Sequence, residues 1–532
     1  MLSKGGIKMQ AISLSWPLTI EQLTALDPLY IPIIGALLVL LVGTGMKRAE
    51  KACKNICGII TTIFIFLTLG SLLIYVLPMV QTYGVIVVYY STFAPPLGTC
   101  LEIDMFSWFM MLVFTSLSFL VAIYSISYMK DDSGLDKYYA LLLTILFGMN
   151  GIVMAGDFFT LFVFWETMAI SSYVLVAFRK DKWEAVEAGM KYLLMSAFGS
   201  TLILFTMSLL YGLTGTLNLA LMASALRTAS PTPMLYIIIS LLIVGFGVKA
   251  SIVPLHTWLP DAHPAAPTGI SALLSGVVIK TGIYAILRLL LLFFEPTIFI
   301  NYGVIVAVFA VLTMTVGNLM ALLQDDIKRL LAYSSIVNIG YILVGMAVGM
   351  LPIGTETQTL GVTGALFHVL NHSMMKGLLF LAAGVYIHAA GTRSLSEMRG
   401  VGRKMKVTTF CFAIGILAMI GVPPLSGFYS KFIIIWATIV ANQPIIAALT
   451  LLNSAFSVAY YLRLLHILVF ATPEGEILMA KEKASSMLVP LVLLTIGIIL
   501  IGLFPGLIIT WAQGAAGAAI SSDSYIQAIL GP

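Results

Sequence analysis

The sequence predicts an all-α polytopic membrane protein with about fourteen transmembrane helices. Of its 532 residues, 60% are hydrophobic and only 10% are charged. Apolar stretches of about 20 residues, the length that crosses a hydrocarbon core ~30 Å thick, recur from Tyr30 to Trp511 with short polar breaks between them. In chain order, the predicted spans cover residues 30–45, 56–80, 105–128, 138–155, 157–178, 191–212, 235–255, 267–293, 299–323, 327–349, 361–389, 408–441, 445–470 and 487–512.

The placement of lysine and arginine supports this count, because these residues concentrate in cytoplasmic loops. If the chain begins outside, the outer segments hold only Lys4, Lys8 and Arg227 of the 28 basic residues. The inner loops then hold Lys47, Arg48, Lys51, Lys54, Lys130, Lys137, Arg179, Lys180, Lys182, Lys328, Arg329, Arg393, Arg399, Arg403, Lys404, Lys406, Lys481 and Lys483. We therefore predict a multi-pass protein of the cytoplasmic membrane with both termini outside.

The N-terminal segment and the net charge add two expectations. The first 28 residues lack the pattern of a signal peptide, so we expect a short leading segment there. The net charge of +5 gives no reason to expect a nucleic-acid partner.

The remaining seven basic residues lie inside predicted spans, namely Lys191, Lys249, Lys280, Arg288, Lys376, Lys431 and Arg463. Glu166 is the one acid that the sequence places at similar depth. A charge at mid-membrane costs ~3 kcal/mol or more, so buried ionisable groups are functional candidates. Burial also favours the neutral form of a lysine, which can then gain and lose a proton near neutral pH. The alternative is that long side chains near helix ends extend to the interface, an interpretation that fits Arg288, Arg463 and Lys191 best.

Prolines predict that the seventh and twelfth spans are broken. Pro254 follows Lys249, and Pro423 and Pro424 precede Lys431. Proline removes a backbone donor and interrupts a helix, which leaves free backbone groups inside the membrane. The breaks lie five spans apart, which predicts two inverted five-helix repeats with the ion site at the breaks. The predicted domains are residues 1–129 (three helices), 130–293 (first repeat), 294–470 (second repeat) and 471–532 (last helix).

His368, His372 and Lys376 lie four residues apart, on one face of the eleventh span. Three interpretations are open for this stripe: a metal site, packed core histidines and a proton relay. We favour the relay, because histidine titrates near neutral pH and the lysine continues the line. His256 and His263 flank the first break and either feed the relay or bond to the broken backbone. The four cysteines form no CxxC pair, so we expect neither an iron–sulfur centre nor a metal site in this chain.

Four segments carry a resemblance to a known family: "GVKASIVPLHTWLPDAHPAAPTGISALLSGVVIKTGIYAILR", "LLQDDIKRLLAYSSIVNIGYI", "HVLNHSMMKGLLFLAAG" and "GVPPLSGFYSKF". Together they resemble the antiporter-like subunits shared by respiratory complex I, Mrp-type cation/proton antiporters, membrane-bound hydrogenases and F420H2 dehydrogenases. The resemblance covers about residues 130 to 490. The phrase "SALLSGVVIKTG" is most similar to the Mrp D-type subunit and its counterparts in membrane-bound hydrogenase or sulfane reductase complexes.

The resemblance implies roles for the buried residues. Glu166 and Lys249 match an interacting pair in the fifth and seventh spans, and Lys280 matches a central relay lysine. Lys431 matches the terminal residue of the path, and Lys191 matches a sixth-span lysine of less certain role. The eleventh-span connection is matched by His368, His372 and Lys376.

The implied function is a proton-translocating subunit without a cofactor, redox centre or catalytic centre of its own, working inside a multisubunit membrane complex. The expected partners are other membrane subunits of the same complex. Either a soluble redox arm with iron–sulfur clusters, which would make the chain part of an ion-pumping oxidoreductase, or partner Mrp subunits would drive it. The alternative within transport is the Na+/H+ exchange module of an Mrp-type antiporter. A hypothesis of another class is a membrane-embedded metalloenzyme that uses His368 and His372.

Overall fold

The computed structural model describes residues 24–45, 50–89, 96, 98–227, 232–294, 301–473, 482 and 486–530. Within these ranges the chain is helical except for one antiparallel strand pair, β1 (Ile86–Tyr89) and β2 (Cys100–Ile103). The prediction of an all-α membrane protein is therefore confirmed, with the strand pair as a small addition between the second and third spans.

The α-helices are numbered here in chain order. They are α1 Asp27–Gly45, α2 Glu50–Ser71, α3 Leu77–Tyr83, α4 Met105–Tyr128, α5 Leu135–Met154, α6 Phe158–Val176, α7 Trp183–Thr214, α8 Leu219–Arg227, α9 Pro233–Ala250, α10 Leu259–Ala265, α11 Thr268–Leu273, α12 Ile279–Phe293, α13 Tyr302–Leu322, α14 Ile327–Gly349, α15 Thr355–Ala390, α16 Lys406–Ile420, α17 Ser426–Val440, α18 Pro444–Leu465, α19 Leu488–Leu503, α20 Gly506–Ile520 and α21 Ser522–Leu530. Three π-helical turns, Leu72–Val76, Leu274–Val278 and His466–Phe470, join or extend neighbouring helices.

Twelve helices in the described ranges are long and apolar enough to cross a membrane, and they follow the predicted spans in order. Both predicted breaks are present. The seventh span ends at Ala250 and turns before α10 begins, and the twelfth is divided into the shorter helices α16 and α17. The exact count of fourteen and the inverted repeat remain predictions.

The last predicted span, 487–512, is wrong as a single straight helix. The structure ends α19 at Leu503, and α20 leaves it at a bend of 84°. Pro505 explains the bend, because a proline disfavours helical backbone at the preceding residue, and Phe504 is indeed non-helical, with φ −129° and ψ 64°. The chain therefore changes direction close to Pro505.

Burial separates central helices from peripheral ones. Every residue of Thr268–Phe293 is buried by other parts of the bundle, and so is every residue of Ile327–Gly349 except Arg329 and Tyr333. Peripheral helices instead expose large apolar side chains such as Leu41, Leu194 and Leu451, as expected for helices that face lipid. Lys280 of α12, Lys328 of α14 and His368, His372 and Lys376 of α15 consequently lie in the interior of the bundle.

Glycines hold the second break in a tight packing arrangement. A Cβ added to Gly427 of α17 would lie 2.0 Å from the carbonyl oxygen of Ala418 in α16. Because backbone cannot yield as a side chain can, we expect Gly427→Ala to destabilise the assembled protein by about 1–3 kcal/mol. The measurement is the thermal denaturation midpoint of the purified complex.

Gly517→Ala on α20 is the matched control, because a Cβ there meets nothing within 4 Å. Equal midpoints for Gly427→Ala and Gly517→Ala would contradict the packing argument.

Candidate functional site

The two helix breaks position Lys249 and Lys431. Lys249 is the penultimate residue of α9, at the first break. Lys431 lies in α17, just after the second break, which separates α17 from the end of α16. The last carbonyls of a helix lack intrahelical donors and carry partial negative charge. The Nζ atom of Lys431 donates to two of them, the carbonyl oxygens of Met419 at 2.7 Å and Ile420 at 3.3 Å. The break therefore supplies ligands for a buried ammonium group.

Lys249 is buried against hydroxyl groups of α7. Its Nζ donates to the Tyr192 hydroxyl at 2.8 Å and to Ser196 Oγ at 3.4 Å, and it lies 4.5 Å from the centroid of the Tyr192 ring. The Ser200 hydroxyl, one turn from Ser196, donates to the Glu166 carboxylate. Glu166 and Lys249 form no direct ion pair in the described bundle, so hydroxyls of α7 lie between the two groups that the resemblance implies as a pair.

Lys280 and Lys376 meet at the centre of the bundle, and both are fully buried. Lys280 Nζ donates to the carbonyl oxygen of Ser275, which lies in the π-helical turn. Lys376 Nζ donates to the carbonyl oxygen of Leu331 at 3.0 Å and to the Ser334 hydroxyl. Within the described ranges neither lysine has a carboxylate partner, and the two lie close enough to repel each other when charged.

The two histidines of α15 differ in their contacts. His368 Nε2 lies 3.1 Å from Asn338 Oδ1, and Nδ1 lies 2.9 Å from the Ser430 hydroxyl. The amide of Asn338 is oriented by a bond from its Nδ2 to the carbonyl oxygen of Ser334, so Nε2 carries the proton and Nδ1 accepts. His372 is fully buried, and neither of its ring nitrogens has a hydrogen-bond partner in the described structure.

The ring centroids of His368 and His372 are 6.1 Å apart. Tyr341 contacts His368 on one side, and Lys431 Nζ lies 4.9 Å from the centroid of the Tyr341 ring. We call the central lysines, the two histidines and Lys431, all of which are buried, the relay row. Its members are Lys280, Lys376, His372, His368 and Lys431.

The family is identified by the transmembrane region. Residues 155–457 match the family described as "NADH:quinone oxidoreductase/Mrp antiporter, TM", and residues 96–139 match "NADH-Ubiquinone oxidoreductase (complex I), chain 5 N-terminus". The chain belongs to the NADH:quinone oxidoreductase/Mrp antiporter family. The resemblance that the sequence motifs carry is therefore confirmed.

Full-length relatives in several complexes resemble this antiporter-like protein. The N subunit of the F420H2 dehydrogenase of Methanosarcina mazei is 31% identical over 93% of this chain and 99% of its own length. The D-type subunit of the Na+/H+ antiporter of Alkalihalophilus pseudofirmus is 30% identical over 94% of this chain and 98% of its own length. A chain of the archaeal membrane-bound sulfane sulfur reductase superposes with a TM-score of 0.84 at 32% identity, covering 96% of this chain and all of that one.

Lys328 is a buried basic residue of this antiporter-like protein that the sequence analysis assigned to an inner loop. It is the second residue of α14, and its Nζ donates to the carbonyl oxygen of Ala266 at 2.8 Å and to the Ser271 hydroxyl at 3.4 Å. The segment that contains Ala266 and Ser271, which follows the first break, therefore covers the Lys328 side chain. The one signal in the sequence was its position next to the start of an apolar helix, where a side chain can turn inward.

A cavity of about 390 Å³ opens beside Lys328. Its wall includes Arg179, Glu184, Lys328 and Arg393, so we call this side of the bundle the basic end. His263 is completely buried near this end, stacks on Phe380 at 4.6 Å and has no hydrogen bond from either ring nitrogen in the described structure. His256 is only half-buried, with its ring 6.5 Å from that of Tyr333.

Lys191 and Arg288, for which the sequence favours extension to the interface, have opposite environments. Lys191 is half-exposed and pairs with Glu187 and Asp261, each at 2.9 Å, at the surface of the basic end. Arg288 does not extend to an interface; it is buried and forms an ion pair with Asp104 at 2.7 Å. Asp104 caps α4 one residue before the predicted span, so counting acids inside spans omitted it. Glu166 is therefore not the one acid at depth.

The metal interpretation of His368 and His372 gains no support from this geometry. Both ring nitrogens of His368 are engaged by Ser430 and Asn338. In the described residues, no group of three or more His, Cys, Asp or Glu side chains is arranged to hold a metal ion.

Proposed function

We propose that this protein moves protons across the membrane along the relay row. The observation that carries the proposal is the burial of Lys280 beside Lys376, with backbone and hydroxyl ligands but no carboxylate partner in the described bundle. Two neighbouring buried ammonium groups destabilise each other. A proton on one lysine therefore favours the loss of the proton from the other. Each lysine thereby becomes a site that exchanges protons instead of a permanent charge.

The proposed path begins at the basic end, which we assign to the cytoplasmic side, with both chain termini on the outer side. The cavity beside Lys328 and the buried His263 lead inward to Lys280. From the central lysines the proton passes His372 and then His368, whose two nitrogens can accept on one side and donate on the other. Lys431 at the second break is the last member of the row.

Glu166 and Lys249 form the control element of the proposal. The carboxylate stabilises the protonated lysine through the polarised hydroxyls of Ser196 and Ser200. Weakening this interaction releases the proton of Lys249 toward Lys280. A movement in a neighbouring membrane protein that displaces Glu166 can therefore drive a proton inward along the bundle.

We further propose that the chain works in the cell membrane inside a multisubunit complex and carries no cofactor itself. The support is the full-length match to chains named as subunits of F420H2 dehydrogenase and of an Na+/H+ antiporter, and to a chain of a respiratory membrane complex. A soluble redox arm with iron–sulfur clusters, or a set of other Mrp-type subunits, supplies the energy. Identification of the co-purifying chains decides between these two sources.

Na+/H+ exchange is the second candidate, favoured by the 30% identity to a chain named as part of an Na+/H+ antiporter. The relay row is basic and does not suit a bound cation, so a sodium site would involve other groups or a neighbouring chain of the complex. Proton transport that depends on added sodium in proteoliposomes would favour exchange. Transport at the same rate without sodium would favour a proton-only path.

Replacing His368 and His372 together with asparagine should slow proton transport by at least about tenfold, because the row then lacks titratable groups between Lys376 and Lys431. The measurement is the initial transport rate of the purified complex in proteoliposomes, with subunit content checked on a gel. His388→Asn on the same helix is the control, because His388 is exposed. Wild-type rates in the assembled double variant would remove the histidines from the path.

A further inference from the structure

A second group of buried ionisable residues lies at the end opposite the basic end. It contains the carboxyl groups of Glu102 in β2, Asp104 at the start of α4 and Asp157 at the start of α6, all nearly inaccessible to solvent. Arg288 of α12 is the base that pairs with them, through Asp104. We call Glu102, Asp104, Asp157 and Arg288 the acidic cluster.

One carboxyl group of the acidic cluster is expected to carry a proton. Three buried carboxylates beside one guanidinium leave uncompensated negative charge, which a desolvated site does not tolerate. Burial raises the pKa of Glu102 to about 8, so Glu102 holds the proton at neutral pH. The titratable and charged groups that surround it on the elements packed against β2 are Tyr89, Cys100, Asp104, Asp157, Arg288 and Tyr525.

Helix α12 connects this cluster to the relay row. Lys280, Tyr284 and Arg288 lie four residues apart, so they follow one face of the helix over two turns, or about 12 Å. The Tyr284 hydroxyl accepts from Arg288 Nε at 3.1 Å and lies 3.4 Å from the Ser107 hydroxyl. Ser107 in turn accepts from Arg288 Nη2 at 3.3 Å. A polar face therefore leads from Lys280 toward the acidic cluster.

A cavity reaches the cluster from the surface. Its volume is about 520 Å³, and Asp104 and Tyr525 form part of its wall together with Gln81, Thr510 and Ser524. The Tyr525 hydroxyl donates to the Glu102 carboxyl group, and the Tyr525 ring lies 5.3 Å from the guanidinium carbon of Arg288. The side chain of Tyr525 in α21 thus lies between Glu102 and the cavity.

We infer that Glu102 is a second proton-release residue, on a branch that leaves the relay row at Lys280 and opens at the outer end of the first half of the bundle, an inference that rests on the proposed function. The O–H bond of the Glu102 carboxyl breaks, and the proton goes to water in the cavity. The carboxylate keeps the electron pair and takes the next proton from the Lys280 side, along the polar face of α12. Arg288 stays charged and holds Asp104, which limits the negative charge beside Glu102.

Glu102→Gln in the complete complex tests the inference, because glutamine keeps the shape but does not titrate. We expect outward proton transport at an outer pH above 8 to fall by about twofold, to the rate that the exit through Lys431 alone supports. With the inner pH fixed, the rise in wild-type rate as the outer pH passes about 8 should disappear in the variant. Asp523→Asn is the matched control, because it replaces a carboxyl group by its amide at the same end of the bundle, in a side chain that is 77% exposed.

Tyr525→Phe provides a second readout that does not depend on Glu102→Gln assembling. A hydroxyl that donates to the carboxylate favours its charged form, so its loss should raise the pKa of Glu102 and move the pH midpoint of transport upward. An unchanged midpoint in Tyr525→Phe, or a wild-type rate and pH profile in Glu102→Gln, would overturn the inference. If Lys280→Met is inactive while Glu102→Gln is normal, the relay stands without this release site. If both are normal, the proposed function itself fails.

Discussion

Lys280→Met should abolish proton transport while the complex still assembles. Methionine fills the same unbranched space but cannot carry a proton, so the row is interrupted at its most enclosed position. The expected loss is at least about a hundredfold in the initial transport rate. The measurement is uptake of protons into proteoliposomes, driven by the electron donor of the complex or by an imposed sodium gradient.

Lys280→Arg separates proton exchange from charge at this position. Arginine keeps a positive charge but holds its proton too tightly to release it, so it should not restore transport. A variant that works with arginine would show that charge alone is needed, and that Lys280 does not pass protons onward. Normal transport in Lys280→Met would contradict the relay outright.

Lys249→Ala should lower transport by about ten- to a hundredfold. Without Lys249, a movement of Glu166 releases no proton toward Lys280 and the relay row. The helix end itself should survive, since Trp258 still donates to the carbonyl oxygen of Val248. The measurement is the same proteoliposome assay at equal complex content.

Lys191→Ala is the matched control for Lys249→Ala. Both lysines lie near α7, but Lys191 is half-exposed and paired with Glu187 and Asp261. An exposed pair of this kind contributes little, so transport should stay near the wild-type rate. If the two variants behave alike, burial is not what gives Lys249 its role.

The sequence predicts the helices and the breaks well, because both depend on local signals. Hydrophobic length identifies a membrane span, and proline interrupts one wherever it occurs in an apolar run. The breaks next to Lys249 and Lys431 follow directly from Pro254, Pro423 and Pro424. The bend at Pro505 follows from the same chemistry, but the predicted span 487–512 ran across it.

The partners of the buried lysines could not be predicted from the sequence. Ser196, Ser334 and Ser454 accept from Lys249, Lys376 and Lys431, respectively. They are ordinary hydroxyl residues in apolar helices, and nothing local indicates which lysine each will contact. Those contacts depend on how α7, α14 and α18 pack against their neighbours. The separation of Glu166 from Lys249 by hydroxyls of α7 is a result of the same packing.

The sequence places Lys328 in an inner loop and does not mark Asp104 as a buried acid, because both residues lie at helix ends. Lys328 is the second residue of α14 and Asp104 is the cap of α4, so both lie where a sequence changes from loop to helix. A side chain at such a boundary points either to solvent or into the bundle. Tertiary packing decides between the two, and here it buries both.

The central claim is that protons follow the relay row, and its most direct test is a set of single variants measured in one assay. Lys249→Ala, Lys280→Met, Lys376→Met and Lys431→Met are compared with Lys191→Ala by initial proton transport rate in proteoliposomes at equal complex content. We predict a loss of at least about tenfold in each of the four, and a rate near wild type for Lys191→Ala. Wild-type transport in all four assembled variants would contradict the account.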